Sequence, residues 1–511
     1  MSGASPDATR AFAGGAGERG FSRDAYRGLG RTGLMVSAVG FGAYRVDSEA
    51  LEHREALRQA LRGGCNLIDT STNYTDGASE TGIGEVLGEM IAGGEISRPA
   101  TVVVSKIGYV QGKNMDLARE REQAGDPFPE MLKISEGCWH CIHPRFLADQ
   151  LGRSLRRLGL ERLDACLLHN PEYFLEHPPA GTGTGGLEEL RRIFYSRVRS
   201  AFTHFEKEVR DGRIAWYGVS SNSFGAPPGE PGATSLGRML EEARAAAAEA
   251  GLPPEKHHFA VAQLPMNLYE RDPLTVRKEG PAGDESTLGF AERSAVGLLV
   301  NRPLNAFAAG ELIRLSDFPT EPPELPIPEA LEGVAKLEEE FARRIAGGLR
   351  LPPGSPRPAD LFPWGRQLAA AAGRLGGYEH WEAVEERQIH PRVYYSISLL
   401  RSTLPPEDAG EFQSWLERYV PELRKLLGAL RADCAALSRR RSAQIAARLD
   451  PGLPAALRSE SLSRKALHAV ASLAGVTSVL NGMRRPLYVR DSMEILKWPR
   501  LPQAAALFAE S

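Results

Sequence analysis

The sequence predicts an α/β fold of the (β/α)8 TIM-barrel class, on three observations. Between residues 26 and 303, short continuous apolar runs alternate with longer segments of helical spacing. Strands that are apolar throughout, rather than at every second residue, belong to a parallel sheet covered on both faces. Seven such units are legible before residue 304 and an eighth near 462–482, and eight parallel strands close a barrel. A doubly wound open sheet is the rival. It calls for a Gly-rich dinucleotide fingerprint after an early strand, and the chain has none.

In chain order, residues 1–25 are rich in Gly, Ala and Ser, lack the apolar core of a secretory signal, and read as a disordered tail. Units one to seven span 26–305, with strands expected at 38–44, 66–71, 101–107, 163–170, 214–221, 259–266 and 297–303. Leu51, Leu57 and Leu61 stripe one intervening helix, which Gly63-Gly64 ends. Leu187, Leu190, Phe194, Val198, Ala201, Phe205 and Val209 stripe another, ended by Gly212. The run 181–186 lacks the Lys-Ser/Thr of a phosphate loop and reads as a linker.

A barrel needs about 250 residues, and the chain has 511. The excess lies at 306–454, between strand seven and the eighth unit, and is expected to be all-helical, with Pro421 breaking or kinking its long stripe. Residues 455–511 supply the eighth unit, with a helix at 462–473 and a strand at 475–482, and a C-terminal tail. Loops that follow barrel strands open on the catalytic face. The insertion is therefore expected to start there, and either to wall or cap the pocket or to pack down the barrel's flank as extra core or a subunit contact.

Composition narrows the functional classes. Lys plus Arg number 62 against 65 Asp plus Glu, which gives no electrostatic case for nucleic acid. No apolar run approaches the ~18 residues of a membrane helix. Five Cys in so long a chain fit a reducing compartment, and a cytoplasmic protein is expected.

Chemistry in a barrel gathers at the carboxyl ends of the strands. Strand two ends in Asp69, with Tyr74 five residues on; strand three ends in Lys106, strand four in His169, strand five in Ser221 and Asn222. Strand six carries Gln263, and strand seven ends in Asn301 and Arg302. Each residue alone has an ordinary structural reading, such as a helix N-cap for an Asp. Together they have a chemical logic. A phenol near a reference pKa of about 10 is a poor acid at neutrality, and a nearby ammonium lowers that value. A carboxylate holds the ammonium charged, and an imidazole donates to a substrate oxygen. Such a set delivers a proton to a carbonyl that receives a hydride.

These residues lie in motifs that resemble the aldo-keto reductase superfamily. They include Asn66-Leu-Ile-Asp-Thr-Ser-Thr-Asn-Tyr74, Val103-Val-Ser-Lys106, Leu167-Leu-His-Asn-Pro171, Tyr217-Gly-Val-Ser-Ser-Asn222 and Gly475-Val-Thr-Ser-Val479. The resemblance covers about 26–303 and 462–496. It implies an NAD(P)-dependent oxidoreductase acting on a small carbonyl or alcohol, an aldehyde, ketone or sugar. Tyr74 matches the proton donor, Lys106 and Asp69 its tuning pair, and His169 the substrate-orienting imidazole. Ser221, Asn222 and Gln263 match the nicotinamide carboxamide ligands.

Two departures stand out. In Val300-Asn-Arg-Pro-Leu304, Asn301 occupies the place of the family's stacking aromatic, and Arg302 is offered to the pyrophosphate. In Gly482-Met-Arg-Arg-Pro486, Arg484 and Arg485 are candidates for a 2′-phosphate, which favours NADP(H) over NAD(H). The alternative to an enzyme is a cofactor-binding, non-catalytic or regulatory subunit with the same barrel. Cys138-Trp-His-Cys141-Ile-His143 lacks a second ligand pair, so no metal is expected there.

Overall fold

Apolar side chains fill the strands on both faces, and this sets the architecture. In the computed structural model, which describes residues 3–183, 185–308 and 310–509, the strands Val102–Ile107, Leu163–His169 and Phe259–Pro265 are buried at every position. Eight parallel strands form a closed barrel: Val39–Gly42 (β1), Leu67–Asp69 (β2), Val102–Ile107 (β3), Leu163–His169 (β4), Ile214–Ser220 (β5), Phe259–Pro265 (β6), Gly297–Asn301 (β7) and Val476–Gly482 (β8). Each pairs with its neighbours in sequence, and β8 closes on β1 through Val479 opposite Val39. Helices connect them. Pro144–Leu158 starts with Pro at its first position, takes its N-cap from the His143 ring, which accepts from Arg145 N–H at 3.2 Å, and stops at Gly159 at φ 63°. Leu187–Arg210 buries Phe194, Val198, Ala201 and Phe205, the striped face expected of it.

The chain divides into two compact units, 1–308 with 452–511, and 309–451. In the first, Val104, Ala165, Leu167, Val261, Leu299 and Leu480 fill the barrel interior, together with Ala4, Leu29, Leu34 and Val36. The N-terminal segment is therefore not a disordered tail. Of residues 1–25, 1–2 lie outside the described residues, and Pro6–Gly14 is a helix. Ser5 is its N-cap, accepting from Ala8 N–H at 3.3 Å, with Pro6 at the first position and Asp7 in the first turn. Ala4 N–H donates to Asp164 Oδ1 at 2.6 Å and Ser5 N–H to the Pro99 carbonyl at 2.9 Å. Gly-, Ala- and Ser-rich composition masked a capped helix that is held by main-chain bonds.

The loop after β3 carries a small antiparallel sheet of Tyr109–Val110, Leu132–Ser135 and Cys138–His140, in which Tyr109 faces His140. The second unit contains the helices Ile327–Arg344, Trp364–Ala371, Tyr378–Val384, His390–Thr403 and Pro406–Leu449. Its core holds Phe341, Phe362, Trp381, Trp415 and Tyr419, and Trp415 stacks on Tyr419 one turn away with centroids 4.5 Å apart. The expectation of an all-helical insertion is corrected at its start, where Asn305–Ala308 and Glu311–Arg314 are short strands. The long helix runs through Pro421 without a break. No helix among the described residues is long and apolar enough to cross a membrane.

Candidate active site

The carboxyl ends of β2, β3, β4, β6 and β7 converge on one polar cluster. Lys106 is fully buried, and its Nζ donates to Asp69 Oδ1 at 2.7 Å, Asp69 Oδ2 at 2.6 Å and the Thr70 carbonyl at 2.8 Å. An ammonium has three N–H donors, so all are spent. Burial pushes Lys106 below its usual range, against the pull of Asp69. From the opposite side of the barrel, Gln263 Nε2 donates to Asp69 Oδ1 at 2.7 Å. Gln263 Oε1 accepts from Ser220 Oγ and from Asn301 Nδ2, each at 3.2 Å.

Tyr74 follows β2 in a turn where Thr75 and Asp76 adopt left-handed φ values of 47° and 55°. This strained backbone, uncommon outside glycine, swings the ring back over the site. The Lys106 Nζ lies 5.0 Å from the ring centroid, against the face rather than at the hydroxyl. The expected lowering of the phenol's pKa is absent. Burial, then the Asp69 carboxylate, raise it well above 10, so Tyr74 is held as a protonated phenol. The reason is geometric, since Asp69 and Thr70 claim every hydrogen of the ammonium.

His169 packs edge-on against Tyr74, centroids 6.0 Å apart at 78°, and against Tyr109, 4.7 Å at 81°. Its Nδ1 is 3.0 Å from Ser71 Oγ. Its carbonyl accepts from His140 Nε2 at 2.7 Å, which requires the proton of His140 on Nε2. Burial holds both imidazoles below the usual range, His140 at about 4, so both are neutral near pH 7. Tyr109 Oη accepts from Asn170 Nδ2 at 2.9 Å and donates to Tyr173 Oη at 3.1 Å. Tyr109, His140, Ser71 and Ser220 were not anticipated in the site. His140 does lie inside the Cys138–His143 cluster that sequence reading singled out, and Ser220 is one residue from the nominated Ser221.

The nominated cofactor residues separate into those inside the cluster and those outside it. Gln263 is inside. Ser221 Oγ instead meets Thr234 Oγ1 at 3.0 Å and Ser223 Oγ at 3.2 Å, and the Asn222 side chain is exposed while its N–H donates to Glu172 Oε1 at 2.6 Å. Arg302 is held by Glu270 at 2.8 Å, and Arg485 lies 3.6 Å from Glu52. Arg484 is half-buried and has no ion pair among the described residues. Burial raises the thiols of Cys138 and Cys141, the latter to about 12, which keeps them protonated and unreactive. Among the described residues no group of three or more His, Cys, Asp or Glu is placed to hold a metal. Asn301 Oδ1 and Thr72 Oγ1, buried at the strand ends, have no hydrogen-bond partner among the described residues. Asn301 Oδ1 fits a ligand that brings an N–H or O–H donor, as a nicotinamide carboxamide does.

Residues 38–226 match the model of the aldo/keto reductase family. Over that segment the barrel is similar to the aldo-keto reductase superfamily. A Schizosaccharomyces pombe protein named as a voltage-gated potassium channel subunit beta is 30% identical over 199 residues, 38% of this chain and 44% of that one. Aldose reductase B of Dictyostelium discoideum is 27% identical over 190 residues, 36% of this chain and 50% of that one. A solved aldo-keto reductase from Bacillus halodurans is 17% identical with a TM-score of 0.35, covering 65% of this chain and 79% of that one. The chain spans about half the length of the curated relatives it matches.

Proposed function

We propose that the protein is a nicotinamide-dependent oxidoreductase that interconverts a small carbonyl compound and its alcohol. The observation that carries this reading is the buried Lys106–Asp69 pair beneath the Tyr74 ring, with His169 edge-on beside it. The dinucleotide, when bound, supplies the hydride in reduction and takes it in oxidation. Tyr74 gives its phenolic proton to the carbonyl oxygen as that hydride reaches the carbon, and its raised pKa keeps the proton in place until then. The neutral His169 hydrogen-bonds the same oxygen and fixes its position, with its ring held by Ser71 and by the His140 bond to its carbonyl. Lys106, its three hydrogens committed to Asp69 and the Thr70 carbonyl, lies 5.0 Å from the centroid of the Tyr74 ring and holds the Asp69 carboxylate in place beside it.

Arg484 has no ion-pair partner among the described residues and favours NADP(H) over NAD(H) through the 2′-phosphate. Arg302 and Arg485, already facing carboxylates, are weaker ligands for a phosphate than their sequence positions imply. The sparse cysteines and balanced charge favour a reducing, cytoplasmic setting.

A second reading, a cofactor-binding subunit without turnover, draws on the relative named as a channel subunit. Titration of NADPH and NADH into the pure protein, followed by nicotinamide fluorescence, and turnover on a panel of aldehydes, ketones and aldoses test both. Binding with turnover is expected. Binding without turnover across the panel favours the subunit, and no binding of either dinucleotide refutes both readings.

A further inference from the structure

The end of β7 carries a buried acceptor whose identity is dictated from across the barrel. A carboxylate facing an ammonium accepts and never donates. Asp69 therefore obliges Gln263 to turn its NH2 end toward it, as observed at 2.7 Å. Gln263 must then present its carbonyl oxygen on the other side, where it takes one donor from Ser220 and one from Asn301 Nδ2, each at 3.2 Å. That in turn obliges Asn301 to spend its NH2 end on Gln263. Which way a buried amide points is ordinarily ambiguous. Here the chain Lys106–Asp69–Gln263–Asn301 has a polarity set at its charged end, and it leaves Asn301 Oδ1 as the final acceptor. That oxygen is buried and has no partner among the described residues. A buried acceptor left unpaired is costly, whereas a site built to hydrogen-bond a donor discriminates strongly against ligands that lack one.

Both ends of the Gln263 amide are already engaged within the protein. A ligand amide arriving above the strand ends therefore finds no free group on Gln263, and the acceptor the network leaves unpaired is Asn301 Oδ1. We infer that Asn301 is a cofactor-binding residue whose Oδ1 accepts an N–H of the nicotinamide carboxamide. The inference rests on the proposed nicotinamide dependence. The contact ties cofactor orientation to the Lys106–Asp69 pair through two amides, so a dinucleotide without the carboxamide N–H is selected against.

The test uses the full chain and two kinds of dinucleotide. In the 3-acetylpyridine analogues of NADPH and NADH a methyl ketone replaces the carboxamide, so the carbonyl acceptor is kept and both N–H donors are lost. The wild-type protein is expected to bind the better of NADPH and NADH at least tenfold more tightly than its acetylpyridine counterpart. Asn301→Leu is expected to bring that ratio close to one by weakening the parent dinucleotide while leaving the analogue near its wild-type affinity. A general loss of packing would weaken both alike. Asn301→Ala, which also removes the acceptor, serves if the Leu variant does not fold. A wild-type ratio near one, or a ratio unchanged in the variants, overturns the assignment of Asn301 while leaving nicotinamide dependence standing. Failure of the wild-type protein to bind either parent dinucleotide overturns both.

Discussion

Replacing Lys106 by Met tests the buried pair that organises the cluster. Met keeps most of the side chain's length and removes three hydrogen bonds, two to Asp69 and one to the Thr70 carbonyl. Asp69, almost fully buried, keeps Gln263 Nε2 at 2.7 Å as the partner recorded for its carboxylate. Breaking a buried ion pair by removing one partner costs about 3–5 kcal/mol, because the other charge is left uncompensated. At ~1.4 kcal/mol per factor of ten, opening of the barrel becomes roughly 10²–10⁴-fold more frequent. A stranded carboxylate is relieved by taking up a proton, so the penalty is expected to be smaller at pH 5 than at pH 8. Asp69→Asn/Lys106→Met leaves no charge behind and is expected to recover most of the loss. Hydrogen exchange followed by mass spectrometry, read on peptides spanning 102–107 and 163–169, reports the barrel separately from the helical unit. A penalty below about 1 kcal/mol, or a double variant no more stable than the single one, would refute the reasoning.

Two further outcomes are expected. Tyr74→Phe removes the hydroxyl that acts on the carbonyl and not on the dinucleotide. Turnover should fall by roughly 10²–10⁴ while NADPH affinity stays near wild type, and an unchanged rate would remove Tyr74 from the role of acid. In the helical unit, burial raises Glu338 to about 7 although its Oε1 accepts from Tyr419 Oη at 3.0 Å and from Gly365 N–H at 2.9 Å. A raised folded-state pKa contributes stability that is fully present below the ordinary value of 4.5 and is lost as pH rises through about 7. Urea midpoints of a 309–451 fragment should therefore fall between pH 4.5 and pH 8, and Glu338→Gln should flatten that slope; a parallel slope in the variant would contradict it.

The barrel strands were legible because a parallel sheet covered on both faces writes itself as uninterrupted apolar runs, as in Thr101-Val-Val-Val-Ser105. Strand ends were legible for the same reason, and with them the pairing of Asp69 and Lys106, whereas the bond from Gln263 to Asp69 across the barrel was not. What escaped depends on orientation and on distant partners. Side chains alternate along a strand, and it is Ser220 that turns toward Gln263 while Ser221 turns toward Thr234. Burial of its ring, and then the Asp69 carboxylate, raise the pKa of Tyr74, and neither the burial of one ring nor the direction in which Lys106 spends its hydrogens is encoded in a spacing. Arg302 reads as free until the fold brings Glu270 to it from 32 residues away. The N-terminal helix had local signals in Ser5, Pro6 and Asp7, but the flanking small residues outweighed them.

The closure of β8 on β1 also sets a timetable. On the ribosome, β1 to β7 are complete by residue 301, but the strand that joins their two open edges begins only at Val476. At ~5–20 residues per second the gap is roughly 9–35 s. Throughout it, β1 and β7 each present an unpaired row of main-chain donors and acceptors, which are templates for wrong partners. The helices made in the interval have a core of their own and need no barrel residue to assemble it. The nascent chain thus finishes its middle before its beginning, and the open barrel edges are where a chaperone is most needed during synthesis.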